Sequence, residues 1–206
     1  MLAQTIDALA QAEIERFEQV VRRRDDARFI PRQSAEFLHT LVLAGGFRRA
    51  VEIGTSFGYS GTWLATALRH NGGTLVTIDR DENKTGPARA AFERAGLAHI
   101  VRVVLGPAEQ VLPGLEGPFD FAFIDADKPG ALRQFELLWP KLAQRATIVT
   151  DNVTSHEREL HEFTSHLRQH PQLRSTLIPI GSGLELSVKV EPGGHAPSVD
   201  GADWVI

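Results

Sequence analysis

The chain has no cysteine. Disulfides, thiolate nucleophiles and cysteine-ligated zinc are therefore excluded, and oxygen and imidazole remain as metal ligands. It also lacks an apolar run of about 18 residues, the length a helix needs to cross a bilayer. No strong charge of one sign is present: 22 Lys and Arg stand against 26 Asp and Glu, a net charge of -4. The one basic block, Arg22-Arg23-Arg24, is followed at once by Asp25 and Asp26, which is poor footing for a phosphate-backbone binder and counts against nucleic acid as a partner. The opening MLAQTIDALAQAEIERFEQVV mixes acids into its apolar pattern and has no cationic start before an unbroken apolar core, so it does not read as a signal peptide. A soluble, cytoplasmic protein with no membrane partner is expected. Its 206 residues are about one domain's worth of chain.

What is present alternates. Ile6, Leu9, Ile14, Phe17, Val20 and Val21 recur every three or four residues and predict an amphipathic helix over 3–23. Ser34, a candidate N-cap, opens a second helix that ends at Gly45-Gly46. Then RAVEI (49–53), TLVTI (74–78), IVRVVL (100–105), FDFAFI (119–124) and ATIVT (146–150) read as strands separated by helical segments, the rhythm of a doubly wound parallel sheet. RSTLIPI and LELSVKV flank Gly181-Ser182-Gly183 without a helix between them, which predicts an antiparallel hairpin at one edge. The expected organisation is one domain over 1–190, with a helical cap over 1–46 and a Gly- and Pro-rich tail over 191–206.

The first strand runs into EIGTSFGYSG, where a glycine lets a ligand approach the backbone. The spacing is Gly54-x-x-x-Gly58-x-x-Gly61 rather than GxGxxG, which disfavours a pyrophosphate-binding turn and hence a nicotinamide dinucleotide. Asp79 ends the second strand 25 positions after Gly54, where a carboxylate can accept both hydroxyls of a ribose. Together these point to an adenosine-containing ligand with no demand for phosphate. The alternative is a plain strand-to-helix turn, with Asp79 a loop cap.

Asp125 ends the fourth strand, and Asp151-Asn152 end the fifth 26 residues later. Neighbouring parallel strands lie about 4.8 Å apart, so their ends can converge. Two carboxylates and an amide carbonyl are hard donors suited to Mg²⁺, Mn²⁺ or Ca²⁺. Alternatively, Asp125 caps a helix and Asp151-Asn152 form an Asx-turn. Asp127 reads as a cap or supporting group. Lys128 is a candidate general base, because a neighbouring cation disfavours its ammonium form; otherwise it is a solvated lysine or a partner of Asp127. His156 stands either at a helix start or against substrate, and His156-Glu157 with His161 is not HExxH. Trp63 and Trp139 read as packing residues.

With these pieces in order, the chain resembles the cation-dependent, S-adenosylmethionine-using O-methyltransferases of the catechol and caffeoyl-CoA type. VEIGTSFGYSG, TLVTIDRD, GPAEQVLP, FAFIDADK, IVTDN and PIGSGLELSVKV carry the resemblance over roughly 30–190. It implies an α/β class I methyltransferase fold: a Rossmann-like doubly wound sheet of seven strands, an antiparallel C-terminal hairpin and two N-terminal helices over the active site. It also implies that Glu52, Gly54, Thr55, Ser56, Tyr59, Ser60, Asp79, Arg80, Ala108 and Asp125 line the S-adenosylmethionine site, with Asp79 on the ribose and Ala108 near the adenine. Asp125, Asp151 and Asn152 would be metal ligands, with Asp125 and Lys128 catalytic and Lys128 the base. The implied acceptor is a small vicinal-dihydroxy aromatic, and the implied assembly a homodimer using the apolar face of the first helix. Pro129-Gly130-Ala131-Leu132 replaces the polar pair and tyrosine that many relatives carry after the lysine, and the loop after Asn152 is short, so a more open acceptor site is expected. Two rivals use the same cofactor: a tRNA hydroxyuridine methyltransferase with a patch built on Arg22–Arg24 and Arg32, and a non-catalytic binding module.

Overall fold

The computed structural model describes residues 6–21, 29–125 and 128–191. Within them, α1 (Ala8–Val21) and α2 (Arg32–Gly45) precede an alternation of β1 (Arg49–Ile53), α3 (Tyr59–His70), β2 (Thr74–Asp79), α4 (Glu82–Arg94), β3 (Val101–Leu105), α5 (Ala108–Val111), β4 (Phe119–Ile124), α6 (Ala131–Leu138), β5 (Leu142–Thr150), α7 (Glu157–Gln169), β6 (Leu173–Ile178) and β7 (Leu184–Lys189). The seven strands lie in the order β3-β2-β1-β4-β5-β7-β6. The first five are parallel, and β7 runs antiparallel between β5 and β6. The expected doubly wound sheet with its C-terminal hairpin is present. Among the described residues, no helix is long and apolar enough to cross a membrane.

Strand alternation divides the core. Phe121, Phe123 and Val149 face the side covered by α1 to α4, whereas Val51, Ile53, Ala122, Ile124 and Ile148 face the side covered by α5, α6 and α7. Strands buried on both faces explain the near-continuous apolar runs in the sequence. The winding reverses between β1 and β4, which opens a crevice at the carboxyl ends of the strands.

Two local expectations are corrected. Ser34 does not cap α2: the helix starts at Arg32 behind Pro31, whose φ of -55° already suits a helix start, and Ser34 lies buried in the first turn. β5 begins at Leu142 rather than 146, because a register shift between Phe119 and Phe121, with Arg145 at φ 64°, interrupts the apolar pattern. The apolar face of α1 is turned inward, with Ile6, Ala10, Ile14 and Phe17 buried in the chain's own core; among the described side chains of this helix, Leu9 is an exposed large apolar one.

Ion pairs fix α1 in place. Asp7 meets Arg69 of α3 at 2.8 Å, Glu18 meets Arg32 at 3.0 Å, and buried Glu13 takes a two-pronged contact from Arg94 of α4 at 2.7 and 2.8 Å. Arg32 also binds Glu36 at 2.9 Å, so this member of the supposed basic patch is already neutralised; Arg22–Arg24 lie outside the described residues, as does the tail beyond 191. Arg94→Met leaves Glu13 buried without a partner and is expected to cost about 2 kcal/mol, lowering Tm by about 4 to 8 °C. Adding Glu13→Gln should recover part of the loss. Thermal denaturation of both variants checks this, and a change below about 1 °C for Arg94→Met would mean that water already screens the pair.

Candidate functional site

Ile78, Ile53, Ile124 and Thr150 are consecutive partners across β2, β1, β4 and β5. The next residue on each strand, Asp79, Gly54, Asp125 and Asp151, therefore falls in one row at the top of the sheet. The ladder continues through this row: Gly54 N–H donates to Ile78 O at 2.9 Å, Asp125 N–H to Ile53 O at 2.9 Å and Asp151 N–H to Ile124 O at 3.1 Å. Above the row opens a cleft of about 620 Å³. Gly54, Thr55, Ser56, Tyr59, Ser60, Asp79, Arg80, Ala108, Asp125, Lys128, Asp151 and Asn152 all line it.

At the β1–β2 end the glycine turn is held open by its backbone. Gly54 and Gly58 have φ of 109° and 96°, and Ser56 has φ of 47°, a left-handed conformation costly for most side chains but not for glycine. Asp79 secures the turn by accepting Ser56 N–H at 2.7 Å and Asp81 N–H at 3.0 Å. Gly61 leaves room for Phe92 and the Glu52 carboxylate, which a Cβ would approach within 2.9 and 3.0 Å. Tyr59 presents its ring beside the stacked Phe29, at 5.2 Å between centroids, and donates its hydroxyl to Glu18 at 3.0 Å. Burial first, and the Glu18 charge second, push its phenol upward.

Glu52 is not in the cleft wall. It sits one layer behind, fully buried, and accepts from Ser60 Oγ at 2.5 Å and Thr77 Oγ1 at 2.6 Å. Ser60, the donor to its carboxylate, does line the cleft. β1 alternation sends Val51 and Ile53 to one face and Glu52 to the other, towards α3. Burial pushes its carboxyl up to about 7, against the two hydroxyl donors and with help from the Asp125 and Asp79 charges.

At the β4–β5 end, Asp125 Oδ1 accepts from Lys128 Nζ at 3.1 Å and Asn152 Nδ2 at 2.6 Å. Burial pushes the Asp125 carboxyl up to about 6, with Lys128 opposing and Asp151 adding to the shift. Asp151 is raised as well, by burial first, while a hydrogen bond from Ser182 Oγ at 2.8 Å opposes it. Asn152 has φ of 67°, so its side chain is turned into the cluster by a strained backbone. Among the described residues no trio of Asp, Glu and His side chains forms a metal cage; the donor set here is two carboxylates and an amide. One buried and one partly buried acid crowded beside a single lysine lack positive charge, and a hard divalent cation fits that deficit. Asp127 lies outside the described residues. His156 occupies the position before α7 and also lines the cleft, with Nδ1 2.9 Å from Ser155 Oγ. Lys128 faces the cleft although Pro129 follows it, and Pro129 itself forms part of the wall.

Several wall residues went unread in the sequence. Ser182 reaches Asp151 from the hairpin turn, whose flanking Gly181 and Gly183 have φ of 60° and 84° and no room for a Cβ against Ser34 and Thr154; the turn was visible, its target was not. Phe29, Ile30 and Pro31 form part of the wall, and Glu109 and Gln134, also in the wall, meet at 2.8 Å. None of these has a signal in spacing alone, since each is brought in by packing between distant elements.

Residues 51–153 match a family described as a methyltransferase domain. The chain is 43% identical over 136 residues to a catechol O-methyltransferase of Mycobacterium tuberculosis, covering 62% of this chain and 60% of that one. It is 38% identical over 133 residues to a catechol O-methyltransferase of Niastella koreensis, covering 62% and 59%. The chain thus spans about three fifths of the length of these curated relatives. The crystal structure of an O-methyltransferase from Bacillus cereus in complex with SAH superposes with a TM-score of 0.77 at 29% identity, over 86% of this chain and 90% of that one.

The buried carboxyl of Glu52 makes a pH prediction. Its pKa is raised from 4.5 to about 7, so between those values the folded chain holds a proton that the unfolded chain has lost, and stability falls as pH rises through the window. Glu52→Gln removes this contribution and is expected to make Tm decline less steeply from pH 4.5 to 7 than in the wild type. Parallel curves in that range would show that Glu52 is already ionised in the fold.

Proposed function

Since the chain belongs to the S-adenosylmethionine-using O-methyltransferases of the catechol and caffeoyl-CoA type, we propose that it methylates one hydroxyl of a small vicinal-dihydroxy aromatic in a cation-dependent reaction. The observation that carries this reading is one cleft with Asp79 and the open glycine turn at one end and Asp125, Lys128, Asp151 and Asn152 at the other. The first end suits a nucleoside whose ribose hydroxyls meet Asp79. The second end suits an acceptor with two adjacent oxygens.

Methyl transfer from a sulfonium is an in-line displacement. The acceptor oxygen forms a bond to the methyl carbon, the carbon–sulfur bond breaks, and S-adenosylhomocysteine leaves with the sulfur electron pair. The chain's main task is to hold the two partners in line. The glycine turn and Tyr59 hold the donor, while Phe29, Ile30 and Pro31 border the space above it and exclude water. Lys128, in its amine form, receives the proton of the attacking hydroxyl. Asp125, Asp151 and Asn152 would hold a divalent cation, which acidifies and orients bound hydroxyls. Ser182 fixes one oxygen of Asp151 and so helps to orient this carboxylate.

The deciding experiment is methyl transfer to dihydroxyphenyl acceptors with Mg²⁺ or with chelator, in the wild type and in Asp151→Ala. Turnover should require both metal and Asp151. Undiminished turnover in chelator would remove the cation from the reading, and donor binding without turnover on any acceptor would favour a non-catalytic binding module. Lys128→Met should lower kcat by about 10²- to 10⁴-fold with little change in donor affinity measured by calorimetry. Ser182→Ala should weaken Mn²⁺ binding by about tenfold, as read by titration calorimetry.

A further inference from the structure

Glu18, in the last turns of α1, is not among the residues that line the cleft, yet it holds two separate parts of the cleft wall. Its Oε1 accepts the Tyr59 hydroxyl at 3.0 Å, and both of its oxygens accept from Arg32 Nη1 at 3.0 Å. Tyr59 is a wall residue on α3, and Arg32 directly follows the wall residues Phe29, Ile30 and Pro31. The two parts also touch each other. The Phe29 and Tyr59 rings stack at 5.2 Å, and Phe17 of α1 packs edge-on against them at 5.5 and 5.8 Å. Ring contacts of this kind tolerate a wide range of offsets and tilts, so they leave the wall some freedom that the bonds to Glu18 remove. Those bonds do little for the fold: Arg32 and Glu18 are 46% and 29% exposed, and an ion pair this open to water adds little to stability. Arg32 is in any case also held by Glu36 at 2.9 Å and lies 5.6 Å from the Trp63 ring.

We infer that Glu18 is a positioning residue for the methyl donor: it fixes the Tyr59 ring relative to residues 29–31, and through that spacing α1 controls donor affinity without touching the donor. This rests on the proposed methyl-donor reading of the cleft. A carboxylate suits the task, because it accepts from a hydroxyl and a guanidinium at once, whereas an amide of the same shape has one acceptor oxygen and an NH₂ that cannot pair with a guanidinium. Burial first, and the Glu18 charge second, raise the Tyr59 phenol, so it keeps the proton that it donates. The contact thus works in one direction, with Glu18 as the acceptor from both walls.

Calorimetric titration with S-adenosylhomocysteine, alongside thermal denaturation, tests the assignment. Glu18→Gln should weaken binding by about 2- to 30-fold, the range for a residue that acts on a site it does not touch. Its Tm should stay within about 4 °C of the wild type, as for the loss of an exposed ion pair; a purely structural role would not give that combination. Tyr59→Phe removes the hydroxyl and should also weaken binding. Because both substitutions act on one bond, the double variant should lose less affinity than the product of the two single losses. Unchanged affinity in Glu18→Gln, single losses that multiply in the double variant, or weaker binding with a Tm fall beyond about 4 °C each overturns the inference while leaving the methyl-donor reading standing. Failure of the wild type to bind S-adenosylhomocysteine overturns both.

Discussion

The hydrogen-bonded row of Ile78, Ile53, Ile124 and Thr150 sets the geometry on which the cleft depends. Four strands end level with one another, so four short segments far apart in sequence deliver Asp79, Gly54, Asp125 and Asp151 to one line. A slip of one residue in any pairing would send that strand's apolar side chains to the wrong face of a sheet that is buried on both. The site is therefore held by the same burial that holds the core, and needs no separate scaffold.

That placement has an electrostatic cost, which the chain offsets locally. Glu52 and Asp151 are buried and Asp125 is partly buried near them, and desolvation raises all three. Each has its own donors: Ser60 and Thr77 for Glu52, Lys128 and Asn152 for Asp125, and Ser182 for Asp151. The donors come from α3, β2, the β4–α6 turn, the end of β5 and the hairpin, so most of the elements around the crevice contribute a hydrogen bond to it. Such a cluster favours a bound positive charge, whether sulfonium, ammonium or metal ion, over an empty cleft.

The first helix illustrates how a pattern identifies an element without identifying what its face covers. The three-to-four spacing of Ile6, Ile14 and Phe17 identifies an amphipathic helix, but not the surface it covers. Glu13, Asp7 and Glu18 decide that surface through Arg94, Arg69 and Arg32, and the apolar face closes on the chain's own α3 and α4. Glu18 also reaches the Tyr59 hydroxyl, which links the cap to the cleft wall.

The sequence by itself determined the alternation of strands and helices, the hairpin, and which acids stand at strand ends, because apolar periodicity and turn residues are local properties of the chain. It also determined that the glycine turn suits a ligand without a pyrophosphate. Only the tertiary structure decided that Glu52 sits behind Ser60, that Ser182 reaches Asp151, that Glu109 meets Gln134, and that β5 starts four residues early across a register shift. These are contacts between elements 8 to 31 residues apart or more closely paired across the sheet, and they depend on strand order and helix docking. No spacing rule encodes those, since they follow from how buried faces fit together in three dimensions.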